Sequence, residues 1–137
     1  MKKIVFALLL LSTFLGFSQE QTVHSIYFDT DVREIKQLQS EAVVHFLSLI
    51  DTTRLESVSI YGYCDDVGKV DYNYKLSQDR ANSVKTMLVK KGVKYKIIVK
   101  IEGKGKVMID EDLEDNVPDA RSKNRRVDVV LNFKPFV

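Results

Sequence analysis

The chain has 137 residues, with 21 Lys and Arg against 19 Asp and Glu, and a formal net charge of +2 at pH 7. This balance argues against general nucleic-acid binding, which needs a clustered excess of Lys and Arg. The length suits one domain around one core, and the single cysteine, Cys64, has no partner for an internal disulfide bond.

The N-terminus has the pattern of a secretory signal peptide. Lys2-Lys3 precedes an apolar run at residues 4–11, and small residues lead up to Ser18. We expect cleavage after Ser18, because the run is shorter than the roughly 20 apolar residues that a membrane span needs. The mature protein would be residues 19–137, with 19 basic and 19 acidic residues. We expect it in the periplasm or associated with the outer membrane.

The next segment predicts a strand followed by a helix. Residues 22–28 have strand character, and Asp31 with Glu34 resembles a capping box at a helix start. The apolar residues that recur at helical spacing are Ile35, Leu38, Ala42, Phe46 and Leu49. We expect His45 at the edge of the core. His24 has no cysteine or second histidine at ligand spacing, so no metal site is predicted.

A second strand and a second helix enclose an acidic turn. Residues 55–64 alternate as a strand, and a helix is predicted from Asn73 to near residue 91. Arg80 falls near the middle of the apolar arc of this helix, where a desolvated guanidinium needs a partner. Two explanations stay open. Either Arg80 snorkels or pairs with Asp65 for structure, or both side chains face a pocket and hold opposite ends of a zwitterion.

The last third predicts two more strands separated by a loop. Residues 95–102 alternate as a strand, which the glycines of residues 103–105 are expected to break. The acidic run at residues 110–115 is expected to be a solvated loop, because it lacks the glycine and spacing of a calcium loop. Residues 125–133 predict a final strand that buries Val127, Val129, Leu131 and Phe133.

The order of these elements indicates an α+β protein. Two helices can cover only one face of a four-stranded sheet, so we predict a two-layer α/β sandwich. The sequence has no nucleophile beside a suitable histidine base and no phosphate-binding loop. We therefore expect neither catalytic activity nor a cofactor.

Three blocks of motif residues occur in order along the chain. They are Gly62, Asp65 and Gly68; then Asn73, Leu76, Ser77, Arg80 and Ala81; then Arg121, Asn124, Arg125, Arg126 and Val127. The blocks resemble the OmpA-like domain, also called the OmpA/MotB C-terminal domain. That family typically has Gly-His-Thr-Asp-x-x-Gly, Asn-x-x-Leu-Ser-x-x-Arg-Ala and Arg-x-x-Asn-Arg-Arg-Val. The resemblance covers residues 22–133.

The resemblance implies a β-α-β-α-β-β chain with a mixed four-stranded sheet and the helices on one face. It also implies non-covalent binding of peptidoglycan, in which Asp65 and Arg80 hold the diaminopimelate of the stem peptide. Asp65 would hold the ammonium group, and the planar fork of Arg80 would hold the carboxylate through two parallel bonds. Asn73 would cap the helix or contact the ligand, and Arg125 would line the same pocket.

Several positions depart from the family pattern. Tyr63 and Cys64 replace the family's histidine and threonine, and Val67 stands where a hydroxyl is frequent. These departures motivate an alternative function, in which the fold binds outer-membrane or other envelope proteins and peptidoglycan binding is altered or lost. Arg121 and Arg126 are expected to be structural or surface charges.

Overall fold

The structure is a computed structural model that describes residues 20–136. The predicted signal peptide, residues 1–18, therefore lies outside the described residues. The elements, in chain order, are β1 (Gln21–Tyr27), α1 (Gln37–Leu49), β2 (Leu55–Cys64), α2 (Val70–Lys90), β3 (Ile98–Lys106), α3 (Val117–Asn124) and β4 (Arg126–Phe133).

The strands form one mixed sheet in the order β1-β4-β2-β3. β4 pairs antiparallel with β1 and with β2, whereas β2 and β3 are parallel. A parallel pair needs a crossover connection, and α2 provides it here. This topology brings residues 28–36, 64–70 and 106–126 to one end of the sheet, which we call the motif end.

The core lies between the sheet and the two longer helices. Val58 and Ile60 of β2 belong to one buried cluster with Val43 of α1 and with Val84 and Leu88 of α2. Both helices therefore cover the same face of the sheet, and the predicted two-layer α+β architecture is confirmed.

Three of the four predicted strands agree closely with the structure. β1 starts and ends one residue before its predicted bounds of 22–28. β2 has its predicted bounds, and β4 starts one residue later than predicted. The four side chains expected to be buried on β4 are at most 3% exposed: Val127, Val129, Leu131 and Phe133.

The predicted start of α1 is wrong. The helix begins at Gln37, its N-cap residue is Lys36, and no side chain caps it. Asp31 lies in a turn with a positive φ of 59°, so the expected capping box with Glu34 does not form. Helix propensity did not predict this turn, because its conformation depends on contacts with residues far along the chain.

The predicted apolar face of α1 is also partly wrong. Leu38 is 76% exposed and Leu49 is 70% exposed, and His45 is exposed rather than at the core edge. The side chains that pack on the core are Val43, Phe46, Leu47 and Ile50. α1 has two overlapping apolar stripes along its surface, and packing against the sheet buries one of them. The buried face is therefore rotated about the helix axis relative to the predicted face.

α2 begins three residues before the predicted start. It runs from Val70, so Asn73 lies inside the helix and is not its cap. The end near residue 91 is as predicted, because Gly92 adopts a φ of +101°. The N–H group of Val93 donates to the carbonyl of Leu88 over 3.0 Å, which closes the helix with a Schellman motif.

β3 begins later and ends later than predicted. Residues 95–97 form a 3-10 turn, and the strand continues through Gly103 to Lys106, so the expected break at residues 103–105 is wrong. A register shift beside Val99 leaves this side chain 64% exposed. The predicted alternation fails there because a bulge inserts one residue that has no partner.

α3 was missed from the sequence. It occupies part of the segment expected to be loop, and the Asn116 side chain accepts a hydrogen bond of 3.1 Å from the N–H of Asp119. Pro118 in the first turn also favours this helix start. The helix buries no residue completely, so it has no apolar period that could reveal it. Among residues 20–136, no helix is both long and apolar enough to cross a membrane.

Candidate functional site

The acidic turn between β2 and α2 is held by its own motif residues. Oδ1 of Asp65 accepts a hydrogen bond of 3.1 Å from the N–H of Val67. Nδ2 of Asn73 donates to the carbonyl of Val67 over 2.8 Å and to that of Lys69 over 2.9 Å. Asn73 is 3% exposed, so its amide closes this turn.

Arg80 is buried beneath the motif end, with 1% of its surface exposed. Nε donates to the carbonyl of Val32 over 2.8 Å, and one terminal nitrogen donates to the carbonyl of Asp29 over 2.9 Å. The other terminal nitrogen donates to the carbonyl of Tyr63 over 3.3 Å. The guanidinium carbon lies 5.1 Å from the centre of the Phe28 ring. The guanidinium therefore ties the segment after β1 to the end of β2.

Asp65 forms its ion pair with Arg125, and no such pair with Arg80 occurs among the described residues. A terminal nitrogen of Arg125 lies 3.1 Å from Oδ2 of Asp65, and Nε of Arg125 donates to the carbonyl of Phe28. The predicted structural ion pair between Asp65 and Arg80 is therefore wrong, because the partner of Asp65 is Arg125. The buried Arg80 is satisfied by backbone carbonyls.

The charges of Arg125 and Asp65 are close enough to Arg80 to shift its pKa. Burial is the main cause that lowers the pKa of Arg80, and the charge of Arg125 acts in the same direction. The negative charge of Asp65 opposes that shift. Arg80, Arg125 and Asp65 therefore bring two guanidinium groups and one carboxylate close together in a largely buried part of the motif end.

The exposed fractions of the Asp65, Arg80 and Arg125 side chains show which of them a ligand can contact. The side chains of Arg125 and Asp65 are 19% and 10% exposed, whereas Arg80 lies below them. Arg125 lines a cavity of about 220 Å³ together with Phe28, Asp29 and other residues of the motif end. Arg80 does not face an open pocket, contrary to the expectation for a directly accessible binding pair.

Gly62 and Ser77 explain why two of the motif blocks are spaced as they are. A Cβ atom at Gly62 would lie 2.0 Å from the carbonyl oxygen of Ser77, so only glycine allows α2 this close to β2. The hydroxyl of Ser77 accepts a hydrogen bond of 2.9 Å from the N–H of Gly105 on β3. We gave neither residue a role from the sequence, although their fixed spacing in the motif was a usable signal.

Cys64 is buried at the end of β2. Its thiol donates to the carbonyl of Asn73 over 3.2 Å and lies 3.6 Å from a terminal nitrogen of Arg80. Burial raises the pKa of the Cys64 thiol, and the nearby charge of Arg80 opposes this. The sulfur therefore fills a position in the buried network under the site.

Arg121 and Arg126 are structural charges, as expected. Nε of Arg121 donates to Asp66 over 2.7 Å, and a terminal nitrogen donates to Glu111 over the same distance. The hydrogen bond from Arg121 lowers the pKa of Asp66. Arg126 pairs with Asp128 at 3.1 Å on the sheet. Arg121 thus joins the acidic turn to the acidic run of residues 110–115.

Comparison with known proteins identifies a family. A model of the OmpA family matches residues 27–125. The chain is 33% identical over 105 residues to outer membrane protein A of Bordetella avium, covering 77% of this chain and 53% of that protein. It is 39% identical over 75 residues to the peptidoglycan-binding protein ArfA of Mycobacterium bovis, covering 55% of this chain and 22% of that protein.

The fold also resembles a solved structure. The peptidoglycan-associated lipoprotein from Burkholderia pseudomallei superimposes with a TM-score of 0.58 at 25% identity, over 78% of this chain and 88% of that chain. By contrast, the chain spans between 13% and 53% of the length of five curated relatives that it matches.

Proposed function

This chain belongs to the OmpA family, and we propose that it is a non-catalytic module that binds peptidoglycan in the bacterial cell envelope. Two of the similar proteins carry peptidoglycan binding or association in their names. The observation that carries the proposal is the convergence of Asp65, Arg80 and Arg125 at the motif end. A carboxylate beside two guanidinium groups suits a ligand that has both an ammonium and a carboxylate.

The proposed ligand group is the diaminopimelate of the stem peptide. Its free amino-acid end has an ammonium and a carboxylate on one carbon, so it needs an anion and a cation at short range. Asp65 would accept hydrogen bonds from the ammonium group, and Arg80 and Arg125 would donate to the carboxylate. Asn73 would keep the turn closed around Asp65, because its amide already bridges two carbonyls of that turn.

Arg80 reaches this ligand only by exchanging a partner. One of its terminal nitrogens donates to the carbonyl of Asp29, an exposed residue in the segment after β1. The bond from the guanidinium to this carbonyl is already charge-assisted, but a ligand carboxylate would add an opposite charge and could accept two parallel hydrogen bonds. We propose that a ligand carboxylate replaces the Asp29 carbonyl and that residues 29–32 shift outward when it binds.

The proposed location follows from the relatives and from the sequence. The matched proteins include outer membrane protein A of Bordetella avium and the probable lipoprotein YiaD of Escherichia coli, and these names support a location in the cell envelope. We propose export through a signal peptide at residues 1–18 and a binding module at residues 19–137. In the periplasm this module would act near the wall, with outer-membrane or other envelope proteins as neighbours.

One observation favours the alternative function. Arg80 is 1% exposed, and all three of its nitrogens already donate to backbone carbonyls. A guanidinium satisfied in this way can serve the fold alone. In that case the domain would act as an envelope protein-interaction module, and its binding of peptidoglycan would be altered or lost.

Co-sedimentation with purified peptidoglycan sacculi tests the proposal. We expect the wild-type protein to sediment with sacculi and free diaminopimelate to release it. Asp65→Asn removes one charge-assisted contact, so it should weaken binding by roughly ten- to a hundredfold. Asp112→Asn is the matched control, because it removes the same charge from the exposed acidic run and should bind as wild type.

Two results would favour the alternative. The first is that no protein sediments at low or moderate salt although it is folded. The second is that Asp65→Asn and Asp112→Asn bind equally well. Circular dichroism of each variant establishes that it is folded before its binding is compared.

A further inference from the structure

A second concave surface lies at the end of the sheet opposite the motif end. We call it the lysine groove, and it has a volume of about 710 Å³. Apolar side chains form its floor and include Val44, Leu47, Leu55, Val93 and Ile97. Four lysines line it: Lys91, Lys94, Lys96 and Lys134. Ser48, Thr52 and Thr53 also line it, and no acidic side chain is among the lining residues, so every charged side chain of the lining is basic.

Charge is distributed unequally between the two ends of the sheet. The motif end carries the acidic run of residues 110–115 and the acidic turn with Asp65 and Asp66. The opposite end carries the four lysines of the groove and Arg54, against the acidic Glu20 and Asp51. The mature chain is close to neutral as a whole, so this separation makes it a dipole along the strands. An anionic surface would orient the molecule with the lysine groove towards it.

Exposed apolar side chains accompany the lysines. Tyr95 stands between Lys94 and Lys96 in sequence and is 63% exposed. Leu49, at the end of α1, is 70% exposed, and Phe136 is 76% exposed and stacks 3.4 Å from the guanidinium of Arg54. Aromatic and aliphatic side chains interspersed with lysines are typical of proteins that contact the interfacial region of a bilayer.

The chain also enters the fold at this end. The carbonyl of Glu20 accepts a hydrogen bond of 2.9 Å from the N–H of Phe133, and its carboxylate pairs with Arg54 at 3.1 Å. The first described residue is therefore fixed at the end of the sheet that holds the lysine groove.

We propose that the lysine groove binds the surface of an anionic phospholipid membrane. Lipid phosphates meet the four lysines, and the glycerol and upper acyl carbons lie over the apolar floor. Tyr95 and Phe136 enter the headgroup layer beside them. The motif end then points away from the membrane, towards the wall. This inference does not depend on the ligand of the motif end.

Vesicle co-sedimentation tests the proposal with residues 19–137, which contain every strand and helix of the fold. The probes are vesicles of phosphatidylcholine alone and vesicles that also contain phosphatidylglycerol. We expect binding only to the anionic vesicles and loss of binding at high salt, because salt screens exposed charges. The triple variant Lys91→Gln, Lys94→Gln, Lys96→Gln should bind roughly a hundredfold more weakly.

A matched triple variant distinguishes binding through the lysine groove from binding that depends only on the net charge of the protein. Lys75→Gln, Lys100→Gln, Lys104→Gln removes the same three charges from exposed positions outside the groove. It should lose much less affinity for the anionic vesicles than the groove variant. Sacculus binding of both triple variants should match wild type, so failure of this proposal is distinguishable from failure of the peptidoglycan proposal.

Three outcomes would overturn the membrane proposal. Wild-type protein could fail to bind anionic vesicles, or the two triple variants could lose affinity equally. The third outcome is binding to an acidic polypeptide such as polyglutamate without binding to vesicles. That result would assign the groove to a protein partner.

Discussion

At the residue scale, the burial of Arg80 changes what its substitution should do. Replacing a binding residue in an open pocket would weaken ligand binding more than it would lower the free energy of unfolding. Arg80→Ala would instead leave the carbonyls of Asp29, Val32 and Tyr63 without their donor in a buried region. We expect it to lower the free energy of unfolding by about 3–5 kcal/mol, measured by urea denaturation.

Arg33→Ala is the matched control for this prediction. Arg33 pairs with Asp79 at 2.6 Å, but its side chain is 42% exposed, so its loss should cost no more than about 1 kcal/mol. Arg80→Lys should also destabilise the protein, because an ammonium cannot reach three carbonyls in the geometry of a guanidinium. Equal stabilities of Arg80→Ala and Arg33→Ala would show that Arg80 does not support the fold.

The position of Arg80 in the apolar arc of its helix predicted burial and the need for partners. The sequence could not identify those partners as backbone carbonyls. They come from residues 29–32, where Asp31 takes a positive φ that no local pattern predicts. The pairing of Asp65 with Arg125 was hidden for the same reason. The two residues are 60 positions apart and meet only through the pairing of β1, β2 and β4.

At the scale of elements, the contact of α2 with β2 depends on the absence of a side chain at Gly62. Gly62→Ala would place a methyl group 2.0 Å from the carbonyl oxygen of Ser77, and backbone cannot yield as a flexible side chain can. We expect the variant to lose about 3 kcal/mol or more of unfolding free energy. The loss should be accompanied by weaker sacculus binding, because the same contact sets the acidic turn above Arg80.

Gly92→Ala separates this steric effect from the ordinary cost of replacing glycine. Gly92 has a φ of +101° at the end of α2, but a Cβ atom there would meet nothing within 4 Å. Its replacement should cost about 1–2 kcal/mol through backbone strain alone. The close packing of α2 on β2 would be refuted if Gly62→Ala were no less stable than Gly92→Ala.

The elements that were predicted well have one strong local signal. β4 alternates strictly because one of its faces is buried, and β2 alternates from Val58 onward apart from Ser59, so the side chains of both strands report their own register. β3 breaks that rule at Val99, where a bulge shifts the pairing, and its two glycines remain in the strand because their N–H groups bond to α2. α1 has two overlapping apolar stripes, so only its packing against the sheet decides which one is buried.

At the scale of the whole molecule, stability should depend on pH through the packing of α1 on the sheet. The ring of His24 on β1 stacks on Phe46 of α1, with 4.7 Å between the ring centres. Nε2 of His24 is buried and has no hydrogen-bond partner within residues 20–136. Burial lowers the pKa of His24 below its ordinary value of 6.5, because the charged ring would lose its hydration.

The direction of the pH dependence follows from that shift. Below pH 6.5 the unfolded chain binds a proton at His24 that the folded protein resists, so stability is full above pH 6.5 and falls as the pH drops. The fall continues until the pH passes the lowered pKa of the folded state. Urea unfolding curves between pH 7.5 and about 5, above the range of most carboxylates, should show this loss.

His24→Gln should flatten this profile of stability against pH, whereas His45→Gln, on the exposed side of α1, should leave it unchanged. A wild-type stability that stays constant over this range, or a profile that His45→Gln flattens instead, would show that the contact of His24 with Phe46 does not govern the acid sensitivity of the fold.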